Sequence, residues 1–177
     1  NYQIKNQIPE GKSENMAVVY DHNNRFLAMG LWDPNANLCF RVLSLGKPRD
    51  INSKFFLKRL QSANLIRESL KNELTTGYRV INGENDGFPG LVLDRYEDTL
   101  VIKLYASSWF PLLAELSELF RKEFSSKQVV LRLAQNIIQS LETNSIYQDG
   151  LILYGKDRSS WVEFKENGLK SIQKNKK

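Results

Sequence analysis

Apolar and polar positions alternate in short bursts through the first fifty residues. Met16-Ala17-Val18-Val19-Tyr20, Arg25 to Trp32 and Leu38 to Leu45 each read as a strand. Asp21-His22-Asn23-Asn24 and Asp33-Pro34-Asn35-Ala36-Asn37 carry turn chemistry between them. Closely spaced strands with tight turns predict a small β-barrel, which here would be partial and occupy residues 1–50. Then the period lengthens. Phe56, Leu57, Leu60, Ala63, Asn64, Ile66 and Leu70 recur mostly at helical spacing, with Asn52 or Ser53 as the cap. A linking helix is therefore predicted within 51–72, with Lys54, Lys58, Arg59, Arg67 and Lys71 around its outer face.

A second module is predicted over 73–166. Tyr78 to Asn82, Leu91 to Arg95 and Thr99 to Tyr105 read as strands. Ser107 or Ser108 is the expected cap of a helix with Pro111 in its first turn and a buried stripe of Leu112, Leu113, Leu116, Leu119, Phe120 and Phe124. Gln128 to Leu133 returns to strand, and the order strand-strand-helix-strand points to a small α+β module. The segment Gln135 to Gln148 fits neither period. Leu151 to Tyr154 and Trp161 to Phe164 read as short strands, and Asn167-Gly168 as a hairpin turn. The basic stretch 167–177 is expected to end in a frayed tail from Lys170. The fold class is thus α+β: a partial barrel followed by a small α+β module.

Composition narrows the function classes. Of 177 residues, 41% are apolar and 25% charged, the proportions of an ordinary globular chain. No apolar run approaches the ~20 residues that span a bilayer, so no membrane partner is expected. Cys39 is the only cysteine and His22 the only histidine, too few for the usual zinc sites, and no metal is expected. Cys39, between Leu38 and Phe40, reads as a buried strand thiol. The net charge of +5 suits a nucleic-acid partner. Candidate RNA contacts are Arg25 and Arg41 on the first strands, with Lys58, Arg59 and Arg67 on the linking helix. Phe26, Trp32 and Phe40 could stack on bases, but at strand positions core packing is the commoner use.

The densest run of special residues is Gly83-Glu84-Asn85-Asp86-Gly87-Phe88-Pro89-Gly90. A phosphate-binding loop needs its glycines where a strand enters a helix, so that helix N–H groups face the anion. Here Leu91-Val92-Leu93 follows, which reads as a strand, and Glu84 and Asp86 would repel a phosphate. The run is therefore expected to join two strands. Gly83 belongs to it, Gly87 and Gly90 supply positive φ, and Pro89 fixes the turn. Asp86, Asp94 and Arg95 either tie this turn down, the favoured reading, or touch a ligand directly.

The run Asn82 to Tyr96 resembles the signature "NGExDGLPGLxxDRY" of the RlmI-like methyltransferases. The likeness extends upstream through Asp21 to Gly30, Pro34 and Arg41-Val42, which resemble that family's RNA-binding PUA domain. It continues through Phe55-Phe56, Arg59-Leu60, Ala63 and Arg67, and downstream through Asp149-Gly150, Leu153-Tyr154-Gly155 and Val162 to Lys170. The resemblance implies a cytoplasmic, S-adenosylmethionine-dependent enzyme making 5-methylcytosine in large-subunit ribosomal RNA. Several of the family's features are not in these residues. There is no G-x-G-x-G motif, and Cys39 lies outside any catalytic pattern. The family's opening "HPW" motif is missing, and Ala36 stands where the family often has Ser. The expectation is an RNA-binding, substrate-recognition portion of such a methyltransferase, with structured ribosomal RNA as partner, no catalytic domain and no cofactor in this chain. The alternative is a protein-interaction or homodimerisation module derived from that family. A free-standing enzyme has little support.

Overall fold

The computed structural model describes residues 3–5, 15–70, 74–156 and 161–174. Its first sheet has four antiparallel strands in chain order: β1 (Gln3–Lys5), β2 (Met16–Tyr20), β3 (Phe26–Trp32) and β4 (Phe40–Leu45). The edge strands β1 and β4 do not pair, so the expected barrel is an open sheet, and no closed barrel forms among the described residues. Two strands start later than their apolar pattern suggests, because side chains close the preceding turns. Asp21 Oδ1 accepts from the backbone N–H groups of Asn23 and Arg25 at 2.8 and 2.9 Å, which keeps Arg25 in the turn. The Asp33 N–H donates to Cys39 O at 2.8 Å, and the Cys39 thiol donates to Ala36 O at 3.0 Å. Cys39 is thus a half-buried residue at a loop exit, and not the buried strand thiol expected, and Leu38 is exposed.

Helix α1 spans Ser53–Ile66, capped by Asn52, whose side chain accepts from the Phe55 N–H at 3.1 Å. Phe56, Leu60 and Ala63 make its buried stripe, while Ile66 and Leu70, expected to be apolar contacts, face outward. The second sheet runs in chain order through β5 (Gly77–Asn82), β6 (Leu91–Tyr96), β7 (Thr99–Leu104), β8 (Gln128–Leu133) and β9 (Ile152–Tyr154). Only β7 and β8 pair in parallel, and α2 (Phe110–Phe124) makes the crossover that a parallel pair requires. The cap expected from Ser107 or Ser108 is not made. Ser107–Trp109 form a 3-10 turn, and α2 starts after it at Phe110 with no side-chain cap. Helix α3 (Gln135–Ser140) resolves part of the ambiguous segment.

Strands β10 (Trp161–Glu166) and β11 (Leu169–Lys174) form a hairpin about Asn167-Gly168, both at positive φ as a type I′ turn demands. The stretch from Lys170 is therefore strand as far as Lys174 and not a frayed tail; its cross-strand partners order it. The hairpin is held to the second sheet by the Thr76 N–H, which donates to Lys165 O at 2.8 Å, and by Phe164, whose ring packs tilted against Tyr96 with centres 4.8 Å apart.

One core serves both sheets. Met16, Leu31 and Leu43 of the first sheet join Phe56 and Leu60 of α1, Trp109, Leu113 and Phe120 around α2, and the buried face of β5 to β8. Phe88, between the two sheets, packs within 6.2 Å of Phe56, Trp109 and Phe120. Among the described residues no helix is long and apolar enough to cross a membrane.

Candidate nucleic-acid interface

The connection from β5 to β6 is a 3-10 turn over Gly83–Asp86, closed by Gly87 in the left-handed region at φ 77°. Gly83 and Gly90 also have positive φ, at 55° and 76°. At two of these positions the positive φ demands glycine and the space is tight as well. A β-carbon at residue 87 would lie 3.0 Å from the Arg59 guanidinium, and one at residue 90 would lie 3.2 Å from that of Arg41. Asp86 holds the turn from inside, accepting from the Asn82 N–H at 2.6 Å and from Arg67 at 2.7 Å. Pro89 O accepts from the Trp109 indole at 2.8 Å. Asp94 accepts from Arg79 at 2.9 Å, and Arg95 donates to Glu97 O at 2.8 Å.

Three of the candidate RNA-contacting arginines therefore converge on this one loop. Arg59 donates to Gly87 O and also to Leu43 O on the first sheet, and its guanidinium lies 4.1 Å over the Phe55 ring. Burial, and then repulsion from Arg49, pushes its pKa below the ordinary arginine value. Arg67 pairs with Asp86. Arg41 stands 3.6 Å from Glu84. Arg59 and Arg67 thus turn inward, where helical spacing had placed them on the outer face, because the loop supplies carbonyl and carboxylate acceptors beside α1. Lys58 alone of the helix candidates is exposed. Arg25 is exposed but paired with Asp21 at 2.7 Å, and its backbone sits in a turn rather than a strand. Phe26, Trp32 and Phe40 are half-buried.

Several concave surfaces lie around the loop and the start of α1. One is an open groove of about 870 Å³ between the β3–β4 loop, the Tyr105–Phe110 connection and the segment around α3. Arg41 lines it and also lines two smaller concavities on either side of Glu84. The Ser107 hydroxyl donates to Asp33, which fixes the β3–β4 loop against the second sheet. Phe110 and Tyr147 stack at 4.3 Å on one wall. A further concavity, of about 260 Å³, opens at the start of α1, where Arg49, Lys54 and Lys58 line it together with one carboxylate, Asp50. The first turn of α1 has no acidic residue of its own, but its Ser53 hydroxyl donates to the Glu115 carboxylate from α2.

Sequence reasoning missed Arg49 as a contact, because it falls in a loop outside the helical period. It also missed Tyr105, Asn136 and the other groove residues, which come from distant parts of the chain. A polar Tyr closing an otherwise apolar strand was the one local signal. The glycine-rich turn leads from strand to strand with the Glu84 carboxylate exposed, so it does not offer the row of helix N–H groups that cradles a phosphate. Among the described residues no group of three or more His, Cys, Asp or Glu side chains could hold a metal.

No family model matches the chain. Individual relatives do. A ribosomal RNA large subunit methyltransferase of Deinococcus radiodurans is 43% identical over 172 residues, which is 94% of this chain and 42% of that relative. Ribosomal RNA large subunit methyltransferase I of Photobacterium profundum is 31% identical over 153 residues, 86% of this chain and 38% of the relative. A solved Streptococcus mutans structure described as a SAM-dependent methyltransferase superposes with a TM-score of 0.73 at 21% identity, over 93% of this chain and 41% of that one. A further solved methyltransferase, complexed with SAH, superposes equally well. The chain is therefore similar, over nearly all its length, to about two-fifths of the length of ribosomal RNA large subunit methyltransferases.

Proposed function

We propose that this chain is the RNA-binding, substrate-recognition portion of an RlmI-like ribosomal RNA methyltransferase. The observation that carries this reading is the cation-lined concavity of Arg49, Lys54 and Lys58, one turn of α1 from the loop where Arg59 meets Gly87. Three ammonium and guanidinium groups against the carboxylates of Asp50 and Glu115 leave an excess of positive charge that suits a phosphate backbone, which each cation can neutralise with release of a counterion. The likeness to the ribosomal RNA methyltransferases supports RNA, and ribosomal RNA in particular, as the partner. On this reading Lys58 and Arg41 contact RNA directly, Arg25 adds to the field, and Arg59 and Arg67 act by holding the loop. The first sheet takes the part of the PUA domain in the resemblance. S-adenosylmethionine would be held elsewhere than in these residues, and the chain alone would not methylate.

The test is fluorescence anisotropy with a hairpin of large-subunit ribosomal RNA across a salt series. Binding of about micromolar strength is expected near physiological salt. The double substitution Lys54→Ala/Lys58→Ala should lower the salt slope by roughly one to two, one for each phosphate no longer neutralised. A slope left unchanged would remove α1 from the surface. A stable dimer with no RNA affinity would favour the interaction-module reading.

A further inference from the structure

Beyond a general affinity for RNA, on which it rests, we infer that the large groove beside Arg41 takes unpaired bases and reads their edges. Its lining is unlike that of the basic concavity. Four amides, Asn35, Asn37, Asn136 and Asn144, face it, whereas Arg41 is its only cation among the described lining residues, against the carboxylates of Asp33 and Glu142. That balance does not attract a phosphate backbone. It suits bases, because each amide offers one acceptor and two donors to a Watson–Crick or Hoogsteen edge. A carboxylate accepts from an exocyclic amino group or a ring N–H; adenine and cytosine offer a two-proton amino group, whereas uracil offers one ring N–H between two carbonyls that repel the carboxylate, which favours adenine and cytosine over uracil.

Shape points the same way. The volume of about 870 Å³ falls within the roughly 300–1,000 Å³ of small-ligand pockets, so a nucleoside-sized occupant fits where a duplex does not. Tyr105 stands where this groove meets the concavity containing Arg79 and Asn82, and it is 41% exposed. Lys103 lies 5.1 Å from its ring centre. An exposed ring shared by two hollows is a stacking platform for a splayed base on the face that Lys103 does not cover, and Lys103, over the opposite face, is placed for the adjoining phosphate. Asn136, which donates to Tyr105 O at 3.4 Å, ties α3 to that platform. In an A-form helix the Watson–Crick edges are used in pairing and the Hoogsteen edges lie in a deep, narrow major groove, so a duplex offers such a groove neither.

The experiment measures anisotropy of the whole chain with three labelled 12-mers: a mixed adenine–cytosine single strand, an all-uridine single strand, and the first strand annealed to its complement. The adenine–cytosine strand should bind about tenfold tighter than the duplex and several-fold tighter than the uridine strand. Tyr105→Ala should weaken single-strand binding roughly five- to hundredfold, the usual range for removal of a base stack, with the salt slope unchanged. Asn136→Ala should narrow the gap between the two single strands. Both residues are exposed, so a circular dichroism spectrum identical to that of the wild type is expected and separates a missing interaction with RNA from a misfolded protein. Equal affinity for duplex and single strand, or a Tyr105→Ala protein that binds like the wild type, would overturn the inference while leaving RNA binding in place. Failure to bind any of the three RNAs would overturn both.

Discussion

At the scale of single residues, the β5–β6 loop depends on charges taken out of water. The Asp86 side chain is only 5% exposed and that of Arg67 15%, so removing one leaves the other buried without its partner. Asp86→Ala also strips the Asn82 N–H of its acceptor. It should cost about 3 kcal/mol, as breaking a buried ion pair does, read as a lower urea midpoint with an unchanged m-value. A loss under about 0.5 kcal/mol would show that the loop stands without the pair. The turn itself was legible in the sequence, because glycine and proline constrain φ wherever they occur. The inward direction of Arg59 and Arg67 was not. Helical periodicity says which face a residue is on, but not that a loop 19 to 28 positions away will bring acceptors to that face.

At the scale of elements, the hairpin of β10 and β11 meets the second sheet at a position with no side chain. A β-carbon at Gly77 would lie 2.0 Å from the Phe164 ring. Gly77→Ala should therefore push Phe164 off Tyr96 and loosen the hairpin. Amide hydrogen exchange should speed up by tenfold or more at Val162 to Glu166 while β6 and β7 stay protected. Uniform exchange across the chain would show instead that the hairpin shares the stability of the sheet. Most elements were legible from period, because strand alternation and the helix stripe both report burial, and the Asn167-Gly168 turn from its dipeptide. Boundaries at Phe26, Phe40 and Phe110 were not, since Asp21, Cys39 and the 3-10 turn settle them through local hydrogen bonds that compete with the apolar pattern. The strand character of residues after Lys170 was hidden as well, because a polar run becomes a strand only when a partner strand lies beside it.

At the scale of the whole molecule, the two predicted modules share one interior. Met16, Leu31 and Leu43 from the first sheet pack into the cluster that α1, α2 and the second sheet also fill. Calorimetry should accordingly show one transition, with a van't Hoff enthalpy equal to the calorimetric one. Two resolved transitions would mean that the sheets fold as independent domains. The shared core could not be read from the chain, since an apolar residue announces that it is buried and not against what. The groove was hidden for the same reason: its walls come from the β3–β4 loop, the end of β7 and the segment around α3, and no local pattern joins them.

Arg59 spans that junction, its two terminal nitrogens donating to Leu43 O on one sheet and Gly87 O beside the other. The consequence is one of avidity. A ligand that touches both the basic hollow at α1 and the base-reading groove meets two weak surfaces held at a constant spacing. Once one is engaged, the other acts at a high effective concentration, with no linker entropy to lose, so their contributions multiply in the equilibrium constant.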